Sequence, residues 1–343
     1  MSGHLTITHA GPALSLQDMG RSGYRAQGLT VGGAADRIAL YEGAALLGQK
    51  PDLAVIEMAG SGGTFTADVD IRIALTGAQM VAKVEGEQIV WNASHLLPAG
   101  AKLEIGGARD GSYGYLHVGG GFDTPVVMDA RSSHLAGGIG ALLQTGERLA
   151  LGVDKGRDVA LTVPPLDRFG GGKVRLVASM QTDNFSAETI ARFTKTVFRR
   201  DARANRMGVR MAFDGEGFAT ADQLSIVSEV VVPGDIQISG DGAPYVLMYE
   251  CQTTGGYPRI GSVLPCDLPR VAQAQTGANL TFEFVEMDEA VALQNRYLAE
   301  IKALASKVAP LVRDPAAIRD LLGYQLISGA VSARTDPLKM EED

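Results

Sequence analysis

Ten consecutive residues, Gln252-Thr253-Thr254-Gly255-Gly256-Tyr257-Pro258-Arg259-Ile260-Gly261, gather an amide, two hydroxyls, a phenol and a guanidinium around two adjacent glycines. Gln, Thr and Tyr can aim donors and acceptors at something planar and polar. Gly255 and Gly256 let the backbone approach it closely. A plain hairpin turn asks only for Gly with Asn or Asp, so the extra groups mark a binding loop. The apolar run Tyr245 to Tyr249 leads in and Ile260 to Leu264 leads out, which predicts strand, polar loop, strand.

Three other stretches carry similar chemistry. Leu16 to Tyr24 sets Gln17, Asp18, Arg21 and Tyr24 into otherwise alternating text. Asp36-Arg37 stands before a helical pattern, where Asp36 can act as the cap. Asn205 to Arg210 places Arg206 and Arg210 around a Met-Gly step. Arginine forks suit carboxylates and other planar anions. For any single pair, Asp18 with Arg21 for instance, a surface ion pair is an equally good reading. Together the loops point to a small polar, carboxylate-like ligand without naming a reaction.

Familiar catalytic signatures are missing. No G-x-x-x-x-G-K-[ST] loop occurs, which argues against P-loop ATP hydrolysis by this chain. There is no G-x-S-x-G elbow and no H-E-x-x-H. The glycine clusters at 60–63, 119–121 and 137–140 do not make a dinucleotide fingerprint. His4, His9, His95, His117 and His134 lack metal-ligand spacing, so no metal site is expected. Cys251 adjoins the binding loop, and Arg259 could make its setting electropositive, but no histidine partner is recognisable. A buried, inert thiol is expected there. With only Cys266 besides, there is no disulfide framework.

A net charge of −8 argues against nucleic acid and against an anionic membrane surface as partners. Met1 to Thr8 lacks a basic region followed by an apolar one, and no apolar run approaches the length of a membrane span, so the cytoplasm is the expected compartment.

These loops need a scaffold. Forty-three glycines, few aromatics and many short alternating runs in a 343-residue chain predict a mainly β protein of two domains. Leu5 to Thr8, Asp70 to Thr76, Lys102 to Ile105 and Tyr113 to Val118 alternate with period two. Within the first domain, 1–165, only Ala34 to Leu47 has helical spacing, with Gly48 as its stop. Pro164 and Pro165 followed by Gly170 to Gly172 predict a linker over 166–173. A second β domain is expected over 174–287, with one helix opened by Ser186. From 288 to 343 the pattern turns helical. Leu293, Tyr297, Ile301, Leu304 and Val308 form one stripe, and Asp314-Pro315 begins a second short helix ended by Gly323. This tail is expected to pack on the second β domain.

The ordered motifs resemble the family that holds the C subunit of 5-oxoprolinase, allophanate hydrolase subunit 2 and the carboxyltransferase portion of urea carboxylase. The opening pattern Q-D-x-G-R-x-G-Y-x-x-x-G is met by Gln17, Asp18, Gly20, Arg21, Gly23, Tyr24 and Gly28. Glu57 to Gly63 and Ala74 to Ala78 follow, then Gly120, Gly121, Asp123, Pro125, Arg131 and Ser132. In the second half come Arg206 to Arg210, Ser228 to Val231, Ile236-Gln237, Gln252 to Pro258 and Asp267 to Gln273. The resemblance covers about residues 5–285. It departs at Asn205, where the family usually has an acid, at Gly32-Gly33-Ala34, where it often has Ser-Gly-Ala, and at Gly138-Ile139-Gly140, where Gly-Phe-Gly is expected.

The resemblance implies two tandem cyclophilin-like β-barrel domains with a few short helices and a C-terminal helical tail. It implies one component of an ATP-dependent 5-oxoprolinase complex, active only with partners like the A and B subunits of 5-oxoprolinase. The chain alone would bind no cofactor, ATP entering through the complex. Gln252, Thr253, Thr254, Gly255, Gly256 and Tyr257 would hold a small amide, across a shared cleft from Gln17, Asp18 and Tyr24. Arg21, Arg206 or Arg259 would take a carboxylate or carboxyphosphate-like group, and Arg131 lies within the matched motifs. The alternative is the carboxyltransferase component of a biotin-dependent urea or amide carboxylase. No A-M-K-M tetrapeptide is present, so carboxybiotin would arrive on a partner. A third reading, a non-catalytic regulatory partner of a kinase-inhibitor-type protein, rests on the altered Asn205 and Gly32.

Overall fold

Alternation becomes strands in the first half. In His4–His9, Leu5 and Ile7 are fully buried while Thr8 and His9 face out. The computed structural model describes residues 3–220 and 227–312. Two long antiparallel strands, Ile71–Val84 and Lys102–Val118, form the spine of an eleven-stranded branched sheet. Their register slips between Gly77 and Ala82, irregularities of the kind that bend and twist a strand pair. One face of this sheet covers a core that includes Leu5, Phe65, Leu75, Leu103 and Leu116.

The other face is also covered. Helix α1 (Arg37–Leu47) lies there, capped by Asp36, whose side chain accepts from the Ile38 N–H at 3.1 Å. Gly48 ends the helix in the left-handed region at φ 62°. Arg72 and Thr76 of the 70–76 alternation therefore end up under α1 rather than in water, while Asp70 stays exposed. Thr76 donates to the Ala39 carbonyl at 3.0 Å, and Arg72 reaches the Leu47 carbonyl at 3.0 Å and Asp154 at 2.8 Å. The approach is close: a Cβ at Gly43 would lie 2.2 Å from the His117 ring.

The second half closes into a seven-stranded barrel. Around the ring run Gly172–Val177, Arg259–Val263, Asp235–Ile238, Pro244–Leu247, Gly208–Ala212, Phe198–Arg200 and Asn279–Phe284. Parallel pairing of the first and last of these completes the circuit and leaves no open edge. Helix α2 (Ala187–Lys195), capped by Ser186 on the Thr189 N–H, inserts Phe193 among Phe198, Phe218 and Phe282. Phe193 stacks on Phe282 with ring centroids 5.2 Å apart. Helix α3 (Leu268–Gln273) follows the Arg259–Val263 strand and reaches the first domain. There the Gln273 side chain accepts from the Ser112 and Tyr113 N–H groups at 2.9 and 3.0 Å.

The stretch joining the domains is anchored. Arg168 is buried and donates to Asp36, the cap of α1, at 2.6 Å and to Glu42, in the middle of α1, at 2.7 Å. Gly171, at φ 81°, then turns into the barrel where a Cβ would meet the Asn279 carbonyl at 2.3 Å.

The tail corrects one expectation. Helix α4 (Met287–Lys302) forms and runs against Gly172–Val177, but the chain does not stay on the second domain. Leu304 is buried among Leu46, Leu47, Ala74 and Val163, with Val308 packed beside them. Ala309–Pro310 then pairs antiparallel with Leu161–Thr162. The apolar surface still open lay behind α1, and the tail returns to the first sheet to cover it. The helix expected after Asp314 lies outside the described residues. Among the described residues no helix is long and apolar enough to cross a membrane.

Candidate functional site

Three barrel strands and the 252–257 loop enclose a cavity of about 360 Å³. Gln252 and Tyr257 come from the loop, Gln237 and Ser239 from the end of Asp235–Ile238, and Tyr245 and Leu247 from Pro244–Leu247. Arg203, Asn205, Met207 and Gly208 complete the wall. That volume suits a small ligand.

The polar groups are held in order. Gln252 Nε2 donates to Gln237 Oε1 at 3.0 Å. Gln237 is only 4% exposed, and its own Nε2 has no partner among the described residues. It packs so closely on Gly255 that a Cβ there would fall 2.3 Å from Nε2, which explains one glycine of the loop. Asn205 Oδ1 accepts from the Met207 and Gly208 N–H groups at 2.8 and 3.2 Å, an Asx turn that starts the Gly208–Ala212 strand. Thr254–Gly255 pairs with Glu229–Val230, and the Thr253 carbonyl accepts from Val231 N, so this part of the loop is given over to backbone pairing. Gly256 and the half-exposed Tyr257 carry the loop on to the cavity rim.

Two of the arginines singled out from sequence, Arg259 and Arg206, are engaged with the protein's own acids. Arg259 is buried and donates to Glu229, to Asp235 at 3.3 Å and to the Val230 carbonyl at 3.1 Å. It thereby ties the 229–230 strand to the barrel. Arg206 donates to Glu57, to Glu250 at 2.6 Å and to the Gly33 carbonyl. Those two carboxylates hold its guanidinium well above the ordinary arginine range, against the opposing effect of burial.

Gln17, Asp18, Arg21, Tyr24 and Arg131 do not line this cavity. They form a clamp inside the first domain. Asp18 accepts from the N–H groups of Gly20, Arg131 and Ser132 at 2.7, 2.7 and 3.1 Å, in place of the ion pair with Arg21 that the sequence allowed. Arg131 extends its side chain to Asp123 at 2.9 Å. Gln17 is fully buried and donates to Ser15 at 2.9 Å. Tyr24 donates to Asp129 at 2.7 Å, a bond that raises its phenol above the usual range. Arg21 is 1% exposed and donates to the Ser132 carbonyl; burial lowers it, and its Nε and Nη1 have no partner among the described residues.

The segment after the clamp, Thr30 to Gly32, bonds the backbone that leads into the loop. Gly32 N donates to the Tyr249 carbonyl at 3.0 Å, and Thr30 donates to the Cys251 carbonyl at 2.8 Å. His134 Nδ1 accepts from Gly137 N, so its Nε2 carries the proton towards Thr30 and the ring is neutral. The Cys251 thiol is buried and pushed up to about 12, an inert core group as expected.

Gln237 is the site residue hardest to see in the sequence. Its signal is Ile236-Gln237, an amide at a position of Asp235–Ile238 where an apolar or exposed residue would be ordinary. Among the described residues no Asp, Glu, His or Cys lines the cavity, so its walls offer groups that can bind and orient a ligand but no base or nucleophile of those kinds.

The fold defines a mostly β protein with a closed barrel beside an eleven-stranded sheet, and its barrel cavity presents the side-chain amides of Asn205, Gln237 and Gln252. The profile of the carboxyltransferase domain, subdomain A and B, matches residues 27–284, and the chain belongs to that family. It is 31% identical over 305 residues to the C subunit of 5-oxoprolinase from Escherichia coli strain K12, covering 87% of this chain and 97% of that one. The same protein of Haemophilus influenzae is 29% identical over 300 residues, covering 85% and 96%. The crystal structure of the K. lactis urea amidolyase shares the fold with a TM-score of 0.79, at 21% identity, over 91% of this chain and 21% of that one.

Proposed function

We propose that this chain is the amide-binding component of an ATP-dependent 5-oxoprolinase-type complex, which opens a lactam ring to give glutamate. The observation that carries the reading is the Gln237–Gln252 pair in a cavity that, among the described residues, is lined without a carboxylate, imidazole or thiol. Such a site can hold a small amide and favour charge developing on its oxygen, while activation falls to partners like the A and B subunits of 5-oxoprolinase. The near full-length likeness to C-subunit relatives supports the assignment.

A second reading, a carboxyltransferase component receiving carboxybiotin from a partner chain, has the urea amidolyase fold likeness in its favour. One experiment separates them. The purified chain is assayed alone and with its two partners, on 5-oxoproline with ATP and on carboxybiotin with urea. Glutamate formed only by the three-component mixture, and lost in Gln252→Ala, is the expected result. Carboxybiotin consumption without glutamate would replace the first reading by the second.

A further inference from the structure

We propose that a second cavity, where helix α4 meets the connector and the barrel, binds the zwitterion of an aliphatic α-amino acid, with Arg296 taking its carboxylate and Glu300 its ammonium group. This cavity shares no lining residue with the one beside the 252–257 loop, so its ligand does not depend on the function proposed above.

Part of the apolar stripe of α4 borders a space of about 280 Å³. Leu293, Arg296, Tyr297 and Glu300 line it, at the i, i+3, i+4 and i+7 positions that share one helix face. The other walls come from Ile38 of α1, the connector at Leu166 to Arg168, the barrel strand at Arg175 and the turn into α3. The volume lies at the small end of ligand pockets and suits a small metabolite.

Most of the charge around this space is already spent. Arg175 donates to Asp267 at 2.7 Å, Arg270 to Asp167 at 2.9 Å, and Arg168 is committed to Asp36 and Glu42. The Cys266 thiol, pushed up to about 11 by burial, adds no charge at neutral pH. What remains is one guanidinium and one carboxylate. Arg296 and Glu300 stand one turn apart, a spacing that permits an ion pair. Yet neither side chain has an ion-pair or hydrogen-bond partner among the described residues. The Tyr297 hydroxyl has none there either, and burial raises the phenol above its usual range, so it stays a neutral donor. Solvated surface charge accounts for Arg296 and Glu300 alone. It does not account for an unpartnered phenol and the apolar Ile38, Leu166 and Leu293 lining the same space.

A ligand that satisfies this set carries both signs on neighbouring atoms. Cβ atoms one turn apart on a helix are about 5–6 Å distant. An α-amino acid bears its ammonium and carboxylate on a single carbon, so one molecule can reach Arg296 and Glu300 together. Tyr297 adds a hydrogen bond to the carboxylate, and Ile38, Leu166 and Leu293 receive an aliphatic side chain. A simple anion would leave Glu300 as a repelling charge, and a simple amine would do the same with Arg296.

Titration calorimetry on the full chain with L-leucine, 4-methylpentanoate and 3-methylbutylamine tests this. Leucine is expected to saturate one site, with each singly charged analogue weaker by about tenfold or more, the scale of one charge-assisted hydrogen bond. Glycine, which lacks the apolar contacts, should be weaker by a similar factor. Arg296→Gln and Glu300→Gln, both at exposed positions of α4, should each weaken leucine by about tenfold. The analogue series on the wild type reads the same charge requirement without any substitution. Equal binding of either analogue would make this a site for one charge only. Full leucine affinity in both charge variants, or its loss in Gln252→Ala, would place the ligand elsewhere. No binding at millimolar concentration would leave the space a packing gap. Each of these results overturns the proposal.

Discussion

Arg206, just before the barrel strand Gly208–Ala212, donates to Glu57, on the branch strand Val55–Ala59 of the first sheet, and both side chains are largely buried. Glu57 also accepts from Tyr115 at 2.8 Å and from Ala35 N at 2.7 Å, while Arg206 shares its charge with Glu250. Removing one partner of a buried ion pair leaves the other uncompensated, which costs about 3–5 kcal/mol. Arg206→Ala should therefore lower stability by that amount in denaturant unfolding. Because two carboxylates lose their cation at once, it should cost more than Glu57→Gln. Equal and small losses would show that the pair contributes little.

His117 gives the fold an acid-sensitive point. Its Nε2 lies 2.7 Å from Thr76 Oγ1, whose proton goes to the Ala39 carbonyl, so the imidazole Nε2–H is the donor. Burial pulls it from 6.5 down to about 3. Above pH 6.5 neither state is protonated and the group is silent. As pH falls below 6.5 the unfolded chain takes up a proton that the folded one refuses, so stability is lost progressively until about pH 3. At about pH 4.5 the loss is on the order of 2–3 kcal/mol. His117→Gln should flatten this slope, measured by urea unfolding at about pH 7 and about pH 4.5.

Gly43 stands in the interior of α1, where alanine ordinarily adds about 1 kcal/mol. Here the sign should reverse. The new methyl would sit 2.2 Å from the ring of His117, which is itself buried, and overpacking costs typically about 1–3 kcal/mol. Gly43→Ala should lower the melting temperature, and adding His117→Ala should recover part of the loss. An unchanged melting temperature in the single variant would mean that α1 can lift off the sheet.

Local signals in the sequence located the elements. Alternation placed the strands, Asp36 and Gly48 bounded α1, and of the polar loop Gln252 to Tyr257 two residues, Gln252 and Tyr257, line a cavity. What the sequence hid is long-range pairing. Arg206 and Glu57 are 149 positions apart, and a buried ion-pair arginine reads the same in one dimension as one that waits for a ligand. Gln237 was obscured for a related reason, since a strand amide shows its role only when a second amide meets it. The tail's periodicity announced an apolar stripe, but only packing shows that Leu304 belongs against Leu46 and Leu47.

Gly255 links the loop's composition to the site and can be tested without touching a ligand-facing group. Its φ is not in the left-handed region, so alanine meets no backbone strain there. The added Cβ would fall 2.3 Å from Gln237 Nε2 and 3.3 Å from a Val231 methyl. Both are side-chain ends, and the easier response is for the Gln237 amide to rotate away. That breaks its 3.0 Å bond with Gln252 and spoils the donor–acceptor set. Gly255→Ala should therefore cut turnover by the three-component complex by about tenfold or more, the scale of one misplaced hydrogen bond to the reacting group. Stability should change by less than about 1 kcal/mol, because one partly buried hydrogen bond is all the fold loses. Unfolding curves and glutamate production on the same preparation check both halves. Full activity with a shifted unfolding midpoint would make Gly255 a packing residue only.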